Sequence, residues 1–140
     1  IKQDAICYSI AFISPEEIDQ INILNASIKA MHRAISQLST APDFIAVDGN
    51  RFHPFKHINH QCVIKGDSKY LHIAAASILA KTARDDFMQQ IHQEFPVYNW
   101  QKNKGYPTQE HRKAILNHGA CCYHRQSFSL LPKQLQLPFK

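Results

Sequence analysis

Twice within a short span this chain runs a few apolar residues into an aspartate that sits beside a glycine: FIAVDGNR at 44–51 and CVIKGD at 62–67. Short apolar runs bounded by turn residues suit strands buried in a sheet, and a carboxylate at the end of each marks where the strand reaches an edge. If the two strands are parallel neighbours, Asp48 and Asp67 emerge at one carboxyl edge, where open α/β sheets place their ligands. Two carboxylates held close repel unless a cation lies between them. Carboxylate oxygens, with water and phosphate completing the shell, suit Mg²⁺ or Mn²⁺. A plainer reading stays open beside this one: aspartate is common where strands end, and both residues also read as turn residues.

The remaining patterning supplies helices to pack on such strands. Residues 5–13, AICYSIAFI, are apolar or small nearly throughout and predict a strand buried on both faces. SPEE follows, with Ser14 as cap, Pro15 at the first helical position and Glu17 completing a capping box. Ile18, Ile21, Leu24, Ile28, Met31, Ile35 and Leu38 then recur at steps of three and four, one helical stripe that should stop near Ser39, before Pro42. After the strand at 44–48, a histidine-rich loop at 49–60 leads to a strand at 61–67. A long helix from about 72 to 93 opens with small residues, HIAAASILAK, that allow close approach to a sheet, and Phe95 with Pro96 ends it. Residues 97–108, VYNWQKNKGYPT, read as a loop; Thr108 caps a short helix that Gly119 closes, and the tail beyond has weak periodicity. The class is α/β, and 140 residues make about one domain.

Sixteen Lys plus Arg stand against 11 Asp plus Glu, a formal charge of +5 and a pI near 9.1. Such a field suits a polyanionic partner, although ordinary basic proteins share it. Cys7, Cys62, Cys121 and Cys122 show none of the paired spacings of a zinc or disulfide framework, which fits a reducing cytosol. No apolar run approaches the roughly 20 residues that span a bilayer, so no membrane association is expected. The chain begins at Ile1 and enters an apolar run almost at once, which reads as an internal start. Around the two aspartates stand Lys65, Lys69, Lys81, Arg84, Lys102, Lys104, Tyr106, His124 and Arg125. Basic groups of this kind neutralise phosphates, and an exposed tyrosine stacks on a base or bonds a ribose hydroxyl. Each taken singly also reads as a solvated surface residue.

In order along the chain stand INILNASIKAM, VDGNR, IKGDS, AAASILAKTARD, KGYPTQEH and HRQSF. This series resembles the bacterial type 2 ribonucleases H, ribonuclease HII, over residues 6–128, and KGD followed by AAASILAK is more specific than any lone short motif. The resemblance implies a ribonuclease H-like fold, a mixed sheet flanked by helices. It also implies an endonuclease that cuts the RNA strand of RNA–DNA hybrids and nicks DNA beside an embedded ribonucleotide. Family members hold divalent metal, Mg²⁺ or Mn²⁺, with four acids. Asp48 matches the third and Asp67 the fourth, so both are expected as catalytic metal ligands, and Tyr106 matches the tyrosine that meets the ribose at an RNA-to-DNA junction. Lys104, Lys81, Arg84, His124 and Arg125 are expected to contact the substrate.

The family's first strand, with its Asp-Glu pair and the glycine-arginine-glycine stretch behind it, has no counterpart in this sequence. Residues 1–140 therefore read as the carboxyl-terminal part of a single ribonuclease H type 2 domain, with the first two strands missing. A gap is expected in the sheet between the strands at 5–13 and 44–48, and this chain by itself is expected to be inactive. A full-length form is expected to be a cytoplasmic monomer. Two other readings compete: a noncatalytic basic nucleic-acid-binding fragment, and a transition-metal protein using His53, His57 and His60, with Cys121 and His124.

Overall fold

The computed structural model describes residues 1–129; the end of the weakly periodic tail lies outside the described residues. Helix α1 spans Pro15–Ser36. The Ser14 hydroxyl accepts the Glu17 amide at 3.3 Å and Pro15 occupies the first turn, as the sequence leads one to expect. The apolar stripe predicts one straight helix, but the chain folds it in two. Asn22 has φ 66° and ψ 165°, outside helical space, and its side-chain oxygen accepts the Asn25 amide at 3.1 Å. It is thus a cap in mid-sequence that starts the helix afresh. The two arms come back on each other, so that Glu17 lies 2.6 Å from Lys29 and 3.2 Å from Arg33. A straight helix would carry those residues about 18 and 24 Å away. Lys29, and after it Arg33, hold the Glu17 carboxyl below its usual range, and Glu17 turns to them instead of back to the Ser14 amide.

Residues 5–13, expected as a strand, form none. A strand needs a neighbour to take its backbone bonds, and among the described residues none lies beside this segment. Side chains hold it instead: Ser9 donates to the Ala34 carbonyl, and Arg33 donates to the Phe12 carbonyl at 2.8 Å. The expected gap between two flanking strands does not arise, because only one of those strands exists.

Strands β1, Phe44–Asp48, and β2, Asn59–Val63, pair in parallel, with Asp48 opposite Val63. In β1, Ile45 and Val47 are buried and their neighbours are not, the alternation of a strand with one covered face. The histidine-rich loop between the strands packs over α1: the His32 ring meets Phe52 and Phe55, each at 5.1 Å, and His32 Nε2 lies 2.9 Å from the His53 carbonyl. β2 stops sooner than the sequence suggests, because Lys65 is left-handed at φ 55° and turns the chain into a 3₁₀ turn, Gly66–Ser68. Helix α2, Leu71–Glu94, leaves that turn and packs on β1.

The segment 97–108 is more ordered than a loop: a 3₁₀ turn, Pro96–Tyr98, is followed by the short helix α3, Trp100–Asn103. Helix α4, Gln109–His118, is capped by the Thr108 hydroxyl and closed by Gly119 at φ 79°. The main core lies between these elements and α2, where Met88, Ile91, Tyr98, Trp100, Ala114 and Ile115 are buried against Phe87, Phe95, Cys121 and Tyr123. Among the described residues no helix is long and apolar enough to cross a membrane.

Candidate active site

Parallel pairing brings both aspartates to one edge. Asp48 is the last residue of β1, where Gly49 N–H continues the ladder to the Val63 carbonyl at 3.0 Å. Asp67 sits in the 3₁₀ turn just beyond β2, not on the strand itself. The two are linked through Gly66, whose amide donates to Asp48 Oδ1 at 2.8 Å. The approach is close: a Cβ on Gly66 would lie 2.8 Å from Ile73 Cδ1, so a larger residue here would require Ile73 to shift. Ile73, buried in the first turn of α2, thus sets the turn against β1, and the Asp48 carboxylate rests on the backbone of the residue before Asp67. Both aspartates are exposed.

Among the described residues no three His, Cys, Asp or Glu side chains form a cation cage. His53, His57 and His60, with Cys121 and His124, are accordingly not gathered into one site. Two hard oxygen donors at one edge still suit Mg²⁺, which keeps several waters and takes one or two carboxylates together with phosphate oxygens. Asp48 and Asp67 fit such an ion in kind and in exposure.

A second group of residues lies at the turn after α3. Tyr106 is 69% exposed, yet the backbone beneath it is tied down. Its amide donates to the Asn103 carbonyl at 2.8 Å, and its carbonyl accepts the Thr108 amide at 2.8 Å. Asn103, buried, donates through Nδ2 to the Tyr98 carbonyl at 2.6 Å and accepts the Gly105 amide at 2.9 Å. Arg84 was expected to face phosphate; its guanidinium donates to the Lys104 carbonyl at 3.0 Å and so braces the same turn. Lys104 Nζ lies 3.8 Å from Asp85 Oδ1, and Lys81 is exposed without an ion pair among the described residues.

Two residues expected to contact substrate, His124 and Arg125, have partners within the chain. His124 is only 6% exposed. The Cys121–His124 turn tucks its ring against Tyr98 at 4.7 Å, Trp100 at 5.3 Å and His111 at 5.3 Å, where it is part of the core. Burial first, then the facing His111, lowers its affinity for a proton. Burial likewise pushes the Cys121 thiol and the Tyr98 hydroxyl up. Arg125 lies over the Phe128 ring at 4.3 Å and is half-buried, so its guanidinium is engaged within the chain. The next two residues anchor the tail to α1, the Gln126 amide and the Ser127 hydroxyl both donating to the Asp19 carboxylate. The residues that reading by position overlooks are Asn103, just before KGYPTQEH, and His111, its last residue; an amide before the motif and an imidazole three residues after the Thr108 cap were the available signals.

Comparison with known proteins agrees with this architecture. A model of the family described as Ribonuclease HII matches residues 1–131. The Ribonuclease HII of Christiangramia forsetii is 63% identical over 99% of this chain and 70% of its own length. That of Bacteroides fragilis is 60% identical over 94% of this chain and 65% of its own. The chain thus spans about two thirds of the length of these curated relatives. The crystal structure of the ribonuclease H2 from Pyrococcus horikoshii superposes with a TM-score of 0.66 over 84% of this chain and 63% of that one, at 22% identity, which establishes the shared ribonuclease H-like fold. With a family match over nearly its whole length and relatives at such identity, the chain belongs to the ribonuclease HII family, the type 2 ribonucleases H, a family of endoribonucleases.

Proposed function

We propose that this chain contributes the third and fourth acidic positions of an endonuclease that hydrolyses the RNA strand of RNA–DNA hybrids and nicks DNA beside an embedded ribonucleotide. The observation that supports the reading is Asp48 at the carboxyl end of a parallel pair, its carboxylate accepting the amide of Gly66, the residue before Asp67. Asp48 and Asp67 would hold Mg²⁺ or Mn²⁺, which supplies charge neutralisation at the scissile phosphate and a more acidic bound water. The Gly66 N–H fixes the Asp48 carboxylate by a charge-assisted bond, so that it does not have to be ordered when substrate arrives. Tyr106, displayed from a braced turn, meets the ribose, whose 2′-hydroxyl is what separates RNA from DNA. Lys81 and Lys104 contribute positive charge to the same substrate.

Residues 1–140 taken alone offer two carboxylates where the family resemblance implies four, so by themselves they bind such a duplex without cutting it. The basic residues and exposed tyrosine support that second reading for the isolated chain. The reading carries with it a reducing, cytoplasmic setting, in line with the four free thiols, and a monomeric full-length form. The test uses a labelled duplex with an embedded ribonucleotide and Mn²⁺. The full-length gene product should cleave it, Asp48→Asn and Asp67→Asn should each remove cleavage, and residues 1–140 should give none. Undiminished cleavage by either variant would overturn the assignment of the two acids, and robust cleavage by residues 1–140 would overturn the requirement for more.

A further inference from the structure

The Tyr106 carbonyl is also held from behind, by a buried chain of ring nitrogens. Hydrogen-bond directions assign each proton. The Trp100 indole can only donate, and it donates to His111 Nε2 at 3.3 Å. That nitrogen is therefore an acceptor, and the His111 proton lies on Nδ1, 3.0 Å from the Tyr106 carbonyl. His124 Nδ1 accepts the Cys121 amide at 3.1 Å, so its proton lies on Nε2, facing His111 Nε2 at 3.1 Å. His111 Nε2 thus accepts from both neighbouring rings on one shared lone pair, and the chain of bonds ends on the Tyr106 carbonyl oxygen. Arg84 and Asn103 brace the same turn from the other side. The backbone that displays the Tyr106 ring thus needs little further ordering when a ligand docks.

We propose that His111 is a positioning residue for substrate recognition: by fixing the Tyr106 carbonyl it aims the Tyr106 ring at the ribose of an RNA-to-DNA junction, without touching the nucleic acid. This rests on the reading of Tyr106 given above. His111 is 5% exposed, and its second nitrogen is occupied by Trp100 and His124, so direct contact with substrate is closed to it.

The test is a double-mutant cycle on the full-length gene product, reading its affinity in EDTA for a fluorescein-labelled duplex with one RNA-to-DNA junction. His111→Phe should weaken binding about five- to tenfold, the effect of one buried hydrogen bond, while His111→Asn, whose amide can stand in for the Nδ1 donor, should stay within about twofold of the parent. In a Tyr106→Ala background His111→Phe should have no further effect. Equal weakening in both backgrounds, or none in either, would overturn the positioning role while leaving the role of Tyr106 intact. If Tyr106→Ala itself leaves affinity unchanged, the reading of Tyr106 fails and this inference with it. Should His111→Phe not fold, the parent protein decides by imidazole ¹⁵N NMR: a protonated Nδ1 on His111 sustains the inference, and a protonated Nε2 overturns it.

Discussion

Replacing Asn103 by alanine removes two bonds at once. Its Nδ2 is the partner of the Tyr98 carbonyl at 2.6 Å, and its Oδ1 is the partner of the Gly105 amide at 2.9 Å. Asn103 is 6% exposed, so water reaches the vacated groups poorly. Leaving a buried backbone group unsatisfied costs about 1–3 kcal/mol. With one group on the margin of solvent, Asn103→Ala should lose about 2–4 kcal/mol, a fall in Tm of roughly 6–15 °C for a domain of this size. Asn103→Asp should be no better: it keeps the acceptor for Gly105 but sets a carboxylate oxygen against the Tyr98 carbonyl. Guanidinium unfolding followed by the fluorescence of Trp100, the only tryptophan, reads both variants in the core they disturb. An Asn103→Ala variant within about 0.5 kcal/mol of the parent, at unchanged m-value, would refute the claim that this side chain closes the turn beneath Tyr106.

Other expectations follow from the same geometry. Asn22 holds φ 66° and ψ 165°, a region that only glycine visits freely; Asn22→Gly should therefore stabilise by about 1 kcal/mol despite losing the cap, and Asn22→Ala should destabilise by at least as much, both read by urea unfolding. A neutral result for Asn22→Ala would mean that the fold between the two arms of α1 does not depend on this residue. His124 binds a proton less readily in the folded chain than in the unfolded one, where histidine titrates near 6.5. The stability it contributes is therefore full above about pH 6.5 and is lost as pH falls from there through the lower folded value. Unfolding midpoints compared at about pH 7.5 and 5.5 should drop on acidification, by less in His124→Asn than in the parent; an equal drop would remove His124 as the cause.

What could be read before the fold was known is mostly what neighbouring residues decide among themselves. Ser14, Thr108 and Gly119 act where their local chemistry puts them, and the repeated Asp and Gly at strand ends foretold a shared edge. Tertiary contacts decided the rest. Asn22 looked like one polar residue in a helical stripe, and only the closing of Glu17 on Lys29 and Arg33 shows that the stripe turns back. Residues 5–13 have a strand's composition but, among the described residues, lack a strand beside them. His124 belongs by sequence to a basic tail, and its burial comes from Tyr98, Trp100 and His111, residues more than a dozen positions earlier. Arg84 was legible as a cation but not as a donor to the Lys104 carbonyl, since that partner lies beyond the end of α2, a 3₁₀ turn and one short helix.

On the proposed reading, the Asp48 and Asp67 carboxylates share a hard cation at the sheet edge. Mn²⁺ added in small steps to ¹⁵N-labelled protein tests it directly, because the paramagnetic ion broadens nearby amides even when binding is weak. Broadening should begin at Gly49, Gly66 and Asp67 and vanish in Asp48→Asn. Broadening centred instead on the histidine-rich loop, or unchanged by that substitution, would contradict the claim.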